Sequence, residues 1–203
     1  MSRLSVLSGQ VFGKVDWVTA DGHEIGMFLK TSDREANRCV IGGPEVKRMV
    51  ANNIVQKGMM VTAHGEFHAR SFQRRDDNTN VGELICTAQR IVAEAPREGR
   101  LRGAIYANMK GVVMYWDATT MQLKTFFNYT EPGMPKQVTV SVHMRNWLAG
   151  MAPDSQQRFK ESIRAGREFV TSALLEVSCY RSAKDGLYVP SLMLLPTDFK
   201  LQG

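Results

Sequence analysis

Pro44-Glu45-Val46-Lys47-Arg48-Met49-Val50-Ala51-Asn52-Asn53-Ile54-Val55 interrupts a chain that otherwise reads as strand. Val46, Met49, Val50 and Ile54 recur at helical spacing, with proline near the first turn and Gly58 beyond the end, so a helix is predicted over 44–55. Upstream, Val11, Val15 and Val18 alternate loosely with polar residues up to a turn at Ala20-Asp21-Gly22-His23. Ile25 to Lys30 makes a second strand, Thr31 to Asn37 a long polar hairpin loop, and Arg38-Cys39-Val40-Ile41 a short third strand. Downstream, Met60 to Phe72 is strand, Gln73 to Asn80 a hairpin tip, and Leu84 to Ala93 a last strand. Three strands, a helix and two more strands is the order of an all-β OB-fold, a five-stranded Greek-key barrel with a helix between strands three and four.

The chain then repeats itself. Leu7-Ser8-Gly9-Gln10-Val11-Phe12 returns 94 residues later as Leu101-Arg102-Gly103-Ala104-Ile105-Tyr106, and the same offset sets Leu29-Lys30-Thr31 against Leu123-Lys124-Thr125. Gly58 to Phe72 aligns with Gly166 to Tyr180 at an offset of 108. A unit of this size fits one small domain and is too long for a solenoid repeat. The second half is expected to place strands near 101–116, 121–130 and 137–144, a helix near 154–165, and a closing hairpin over 169–195. Two tandem OB domains follow, 1–95 and 96–203, joined by the polar linker Glu94-Ala95-Pro96-Arg97-Glu98-Gly99-Arg100.

Composition narrows the function classes. The 203 residues carry a net charge of +6, with 12 Lys+Arg against 11 Asp+Glu in residues 1–96 and 14 against 9 in 97–203. A basic excess favours polyanionic partners, and the second half is expected to hold one more strongly. Cys39, Cys86 and Cys179 are widely spaced and form no CxxC pair, which argues against a disulfide framework or zinc site and fits a reducing cytoplasm. No apolar run is long enough to span a bilayer, and Met1 to Ser5 does not read as a secretory signal, so no membrane association is expected.

The stretch Gln56-Lys57-Gly58-Met59-Met60-Val61-Thr62-Ala63-His64-Gly65-Glu66-Phe67-His68-Ala69-Arg70-Ser71-Phe72 resembles the bacterial single-stranded DNA-binding protein family and its PriB-like primosomal relatives. In that family a helix ends in Lys-Gly and the next strand carries a Gly, an Arg and an aromatic at this spacing. Gly13-Lys14-Val15 and Leu84 to Ala88 are similar to its first and last strands, so the resemblance covers most of residues 9–93. It reaches the second half only through the repeat, where Gly65 becomes Ala173 and Arg70 becomes Ser178. Two features depart from the family. Its third strand carries a base-stacking aromatic, and Asn37-Arg38-Cys39-Val40 has none; its acidic tail has no counterpart in Asp198 to Gly203, so partner recruitment through such a tail is not expected.

Single strands are held by stacking bases on aromatic faces while cations follow the phosphates, each stacked base contributing roughly 1–3 kcal/mol. By resemblance, Phe72 is the stacking aromatic of the first half. Strand alternation sets Arg70 on its face beside His68, with Arg74 and Arg75 next to it; the rival role for Phe72 is to plug the barrel end. Trp17 suits core or platform equally, and Phe28 neighbours Lys30, whose return as Lys124 points to a phosphate contact or an ordinary solvated site. In the second half Tyr115-Trp116 and Phe126-Phe127-Asn128-Tyr129 place adjacent aromatics on strands, so one of each pair faces outward; Tyr115, Trp116, Phe127 and Tyr129 are the candidates taken from them. Arg145 and Trp147 follow the third strand there, while Tyr180, Arg181 and Lys184 mirror Phe72 and its arginines. A dimer interface is the rival role for Trp147 and Phe126.

No catalytic motif is present: the four histidines are scattered, Asp76-Asp77 reads as a hairpin tip, and no P-loop, nucleophile elbow or HExxH occurs. No cofactor or metal is expected. The expected function is non-enzymatic binding of single-stranded DNA in replication or recombination, with homodimerisation to bring four barrels together. Two rivals stay open: an OB-type protein-interaction or primosome adaptor, and an RNA-binding protein.

Overall fold

The computed structural model describes residues 6–30, 36–74, 76–95, 103–128, 137–184 and 186–202. Arg75 and Tyr129, and most of the linker, lie outside the described residues, as do the side chains of Lys30 and Phe127. The first half contains β1 (Val6–Lys14), β2 (Trp17–Val18), β3 (Glu24–Lys30), β4 (Ala36–Gly42), α1 (Pro44–Ala51), β5 (Met60–Gln73) and β6 (Asn80–Glu94). Strand β1 pairs with β5, β5 with β6, β6 in parallel with β4, β4 with β3, and β3 with β2. The circuit closes because β1 runs into β2 and changes partners at Val15-Asp16. The Val15 amide donates to the Met59 carbonyl at 2.9 Å, and the next amide, Asp16, donates to Gly26 at 2.9 Å. This connectivity is the OB-fold expected from the order of elements.

The closing strands show why the residues choose their faces. Along β5, Val61, Ala63, Phe67 and Ala69 point inward, while His64, Glu66, His68, Arg70 and Phe72 alternate with them on the outer face. Inside, Val11, Val15, Ile25, Met27, Ile41 and Leu84 are fully buried. Helix α1 closes one end with Val46 and Met49; Pro44 starts it, and its N-cap Gly43 has φ 125°, a region open to glycine and strained for other residues.

The second half repeats the circuit with β7 (Ala104–Val112), β8 (Tyr115–Asp117), β9 (Gln122–Asn128), β10 (Gln137–His143), α3 (Pro153–Ser162), β11 (Glu168–Arg181) and β12 (Tyr188–Leu201). A short helix not foreseen, α2 (Arg145–Ala149), precedes α3. Every pairing has its counterpart, including the parallel β10–β12 ladder. Among the described residues no helix is long and apolar enough to cross a membrane.

The equivalence between halves differs from the gapless alignment of the first strands. Gly58 donates to Val15 at 2.8 Å and Gly166 to Val113 at 2.8 Å, so Val113 takes the place of Val15, where the alignment put Met109. Hence Lys124 is the counterpart of Gly26, not of Lys30, and Lys110 rather than Tyr106 is the counterpart of Phe12. The physical reason is the period of a strand: a slip by an even number of residues leaves inward positions inward, so both alignments match apolar with apolar. The Gly58 and Gly166 blocks do superpose as aligned, with Phe67 and Leu175 both buried and Phe72 and Tyr180 both facing outward.

Among the described residues both barrels belong to one 12-stranded sheet, because β1 also pairs with β7, antiparallel, from Val6↔Lys110 to Phe12↔Ala104. Gly9 faces Ala107, its own counterpart, so an approximate two-fold axis passes through that pair. The same axis relates two hydrogen bonds between distal hairpins: Ser71 Oγ donates to the Tyr188 carbonyl at 2.6 Å, and Cys179 Sγ to the Asn80 carbonyl at 3.0 Å. A Cβ on Gly9 would lie 2.0 Å from the Tyr106 carbonyl oxygen. Gly9→Ala is therefore expected to lower the unfolding free energy by about 1–3 kcal/mol or more, seen as an earlier urea midpoint at unchanged slope. An unshifted midpoint would contradict this close approach.

Candidate nucleic-acid interface

The outer face of the first barrel carries one row of side chains across four strands. In register, Phe28 on β3 faces Arg38 on β4, Arg38 faces Glu83 on β6, and Glu83 faces Arg70 on β5. Trp17 joins the row from β2. It pairs with Gly26, and its indole lies where a Gly26 side chain would be, 1.8 Å from a built Cβ. The ring thereby reaches Phe28, two residues further along β3, with centroids 5.2 Å apart. Phe72 follows Arg70 on the same face of β5.

Arg38 is the centre of this cluster. Its guanidinium lies over the Trp17 ring at 4.6 Å and the Phe72 ring at 4.8 Å, with Phe28 at 6.0 Å. Each such contact is worth about 0.5–1 kcal/mol at an exposed site. Arg38 Nε donates to Glu83 Oε1, and Arg70 donates from Nε and Nη2 to Glu83 Oε2, both at 2.5 Å. The Glu83 side chain is 0% exposed, against 30% for Arg38 and 42% for Arg70. Burying a carboxylate without partners costs several kcal/mol, so the flanking guanidiniums are what permit an acid at this position.

Beside the rings a groove of about 670 Å³ runs between the barrels, with Phe28, Arg38, Phe72 and Gly82 on one side and Val177 and Ser178 on the other. Strand β11 comes close enough that a Cβ on Gly82 would meet the Ser178 carbonyl at 2.3 Å. The buried Asn37 side chain accepts the Val177 amide proton at 2.7 Å, holding the groove wall in place.

The second barrel repeats the rings at the same register positions. Tyr115 takes the place of Trp17, Phe126 that of Phe28 and Tyr180 that of Phe72. Tyr115 and Tyr180 are 56% and 45% exposed, and Phe126 is half-buried. Thr139, Ser191 and Ser178 replace Arg38, Glu83 and Arg70, and the Thr139 and Tyr180 hydroxyls share a hydrogen bond at 3.3 Å. Lys124, exposed, pairs with Tyr115 where Gly26 pairs with Trp17.

The structure thus brings Trp17, Phe28, Arg70 and Phe72 together in one half, and sets Tyr115, Lys124 and Tyr180 at matching positions in the other. His68 is half-buried on the outer face of β5, opposite Ile85. Arg74 turns to the hairpin tip, where its contacts to Asp76 (2.5 Å) and Asp77 (3.6 Å), the Asp76 hydrogen bond above all, raise its pKa. Lys30 pairs with Ala36 and Phe127 with Val138 through the backbone. Arg181 donates to the Gly186 carbonyl at 3.1 Å, and Lys184 is exposed at that hairpin tip. Arg145 is exposed at the start of α2. Trp116 is half-buried against the core, and Trp147 packs on Phe159 at 5.0 Å and Phe199 at 5.7 Å.

Sequence reasoning chose Phe127 where Phe126 holds the matched ring position, and it missed Arg38 and Glu83. Their outward parity was readable, since Arg38 precedes the inward Cys39 and Glu83 the inward Leu84, but the register that makes them neighbours was not. Among the described residues no group of three His, Cys, Asp or Glu could hold a metal. Burial pushes the Cys86 thiol up to about 12 and raises Cys39 well above its usual range, so neither is a reactive thiolate.

Fold and site define a pair of joined OB barrels, each with aromatic rings on one outer face. No family model matches the chain, and no curated protein matches it. Among solved structures it is similar to the wild-type single-stranded DNA binding protein from Thermus aquaticus, at 10% identity and TM-score 0.49 over 99% of this chain and 95% of that one. A deletion mutant of that protein gives 11% and 0.49, over 100% and 97%.

Because the Trp17 indole occupies the space over Gly26, Gly26→Ala should displace it. The expected result is a changed tryptophan emission spectrum and a loss of about 1–3 kcal/mol on unfolding. An unaltered spectrum would show that the ring does not lie there.

Proposed function

We propose that the chain is a non-enzymatic single-stranded DNA-binding protein acting in replication or recombination, built from two tandem OB units divided near residues 95 and 96. The observation that carries this reading is the ring trio repeated at three matched outward positions, Trp17, Phe28 and Phe72 in one barrel and Tyr115, Phe126 and Tyr180 in the other. Core packing asks for inward apolar residues; it does not ask for large rings at the same outward sites of both barrels. Unpaired bases offer flat faces that such rings stack on, and the net charge of +6 favours the phosphates.

Homodimerisation in a reducing cytoplasm belongs to the same reading. The outer face around the β1–β7 junction exposes Val6 (52%), Tyr106 (50%) and Leu174 (37%), and the last two are cross-strand neighbours. Light scattering should return twice the 22.8 kDa chain mass; a value of one chain mass removes this element.

Titration with oligo-dT tests the function. Binding should be tight at low salt, fall steeply as salt rises, and be weak for duplex. Phe72→Ala and Tyr180→Ala should each cost about 1–3 kcal/mol, roughly 5- to 150-fold in affinity. If both variants bind as the native chain does, the rings are not the stacking surface and an adaptor role gains. Tighter binding of oligo-U than of oligo-dT would move the substrate to RNA.

A further inference from the structure

The charged cluster is present in one barrel and absent from the other, although the rings are kept in both. Arg38, Glu83 and Arg70 are answered by Thr139, Ser191 and Ser178. A cluster that served only to tie three strands together would be needed equally in both circuits. What differs between the barrels is the rings: Trp17 lies over Gly26, while Tyr115 has Lys124 at that place and Tyr180 is anchored by its own hydroxyl to Thr139. Phe72, in Tyr180's position, has no hydroxyl to anchor it. It lies instead against the Arg38 guanidinium at 4.8 Å, and Trp17 lies against the same plane at 4.6 Å.

We propose that Arg38, held by Glu83, is a positioning residue of the first barrel's stacking platform and not a phosphate contact. Its flat guanidinium is the shared surface that sets Trp17 and Phe72 in place, as the Thr139 hydroxyl sets Tyr180. A guanidinium stacks on π-faces and is oriented by a carboxylate in its own plane, a role a lysine ammonium does not fill. Glu83 supplies that carboxylate and its negative charge, with one oxygen to Arg38 and the other to Arg70. Two guanidiniums share this one carboxylate, so the triad keeps one unanswered positive charge, and Arg70, the more exposed of the two, presents it. Arg38 therefore contributes the geometry of stacking, and the salt dependence of binding comes from Arg70 and from cations elsewhere.

The inference rests on the single-strand reading, and two measurements keep the two separable. In the first, oligo-dT affinity is followed against salt for the native chain, Arg38→Met and Arg38→Lys. Both variants should lose about fivefold or more in affinity, with the slope of log K against log salt unchanged. A slope reduced by about 0.7 in Arg38→Met, the signature of one lost phosphate contact on a single strand, overturns the proposal, as does full affinity in Arg38→Lys. In the second, the Trp17 indole N–H resonance is recorded without DNA in the native chain and in Glu83→Gln, whose thermal unfolding confirms that it is folded. A displaced or broadened Trp17 signal is expected, and an unmoved one overturns the clamp. Should the native chain bind no oligo-dT at low salt, the single-strand reading fails, and the DNA-free spectrum still decides whether Glu83 positions the rings. If Glu83→Gln does not fold, the Trp17 signal of Arg38→Lys decides in its place.

Discussion

The ladder between β1 and β7 is the constraint on which the rest of the structure depends. A small barrel buries too little surface to be more than marginally stable by itself, and an unpaired strand edge invites further pairing. Here the free edge of β1 and the free edge of β7 satisfy each other, with Gly9 facing Ala107 at the centre. Small residues there let the backbones approach; the twin bonds from Ser71 and Cys179 then fasten the distal hairpins. The groove between the barrels follows from this arrangement, because β11 is carried along β6 only when the two circuits share one sheet.

The same architecture has been used twice with different chemistry on its outer face. In the first barrel a buried carboxylate and two guanidiniums organise the rings, of which Phe28 and Phe72 have no polar handle of their own. In the second, a tyrosine replaces the phenylalanine, and its hydroxyl meets that of Thr139. Charge organises rings with directional strength but must be fully paired when buried; hydroxyl contacts are weaker and carry no such penalty. The difference makes the barrels similar in shape and unlike in electrostatics. That contrast is absent from the net charges of the halves, which rank the second half as the more basic.

Much of the fold was legible. The change of period at Pro44 placed the start of α1, which ends at Ala51, short of the 44–55 predicted, because Asn53 takes φ 58° and turns the Ile54 amide back to the Met49 carbonyl; the alternation along Met60 to Phe72 placed the inner and outer faces of β5, and the glycine pair Gly58 and Gly166 marked equivalent turns. The alignment of the first strands misled because strands repeat every two residues, and an even slip costs the pattern nothing. Lys124 was therefore matched to Lys30, when its counterpart is a glycine that makes room for an indole. Helix α2 escaped notice because five residues are too few to show a helical period. Phe72 and Tyr180 were legible as a pair through the second repeat block, whereas Trp147 was not separable from them, since an aromatic beside an arginine reads the same whether it packs inside or faces out.

Apolar period, turn residues and internal repetition determine which segments are strands, where the helices interrupt them and that one connectivity occurs twice; these are local properties, written within a few residues of where they act. Cross-strand register is another matter. Arg70 and Glu83 lie 13 residues apart on one hairpin, but Arg38 lies 45 residues from Glu83 and joins them only when β4 aligns with β6. Tertiary structure alone decided that an acid would be buried on an outer face, that Arg38 would lie between rings from two other strands, and that the two barrels would share a sheet. Each of these depends on distances between strands, a quantity that no local stretch of sequence contains.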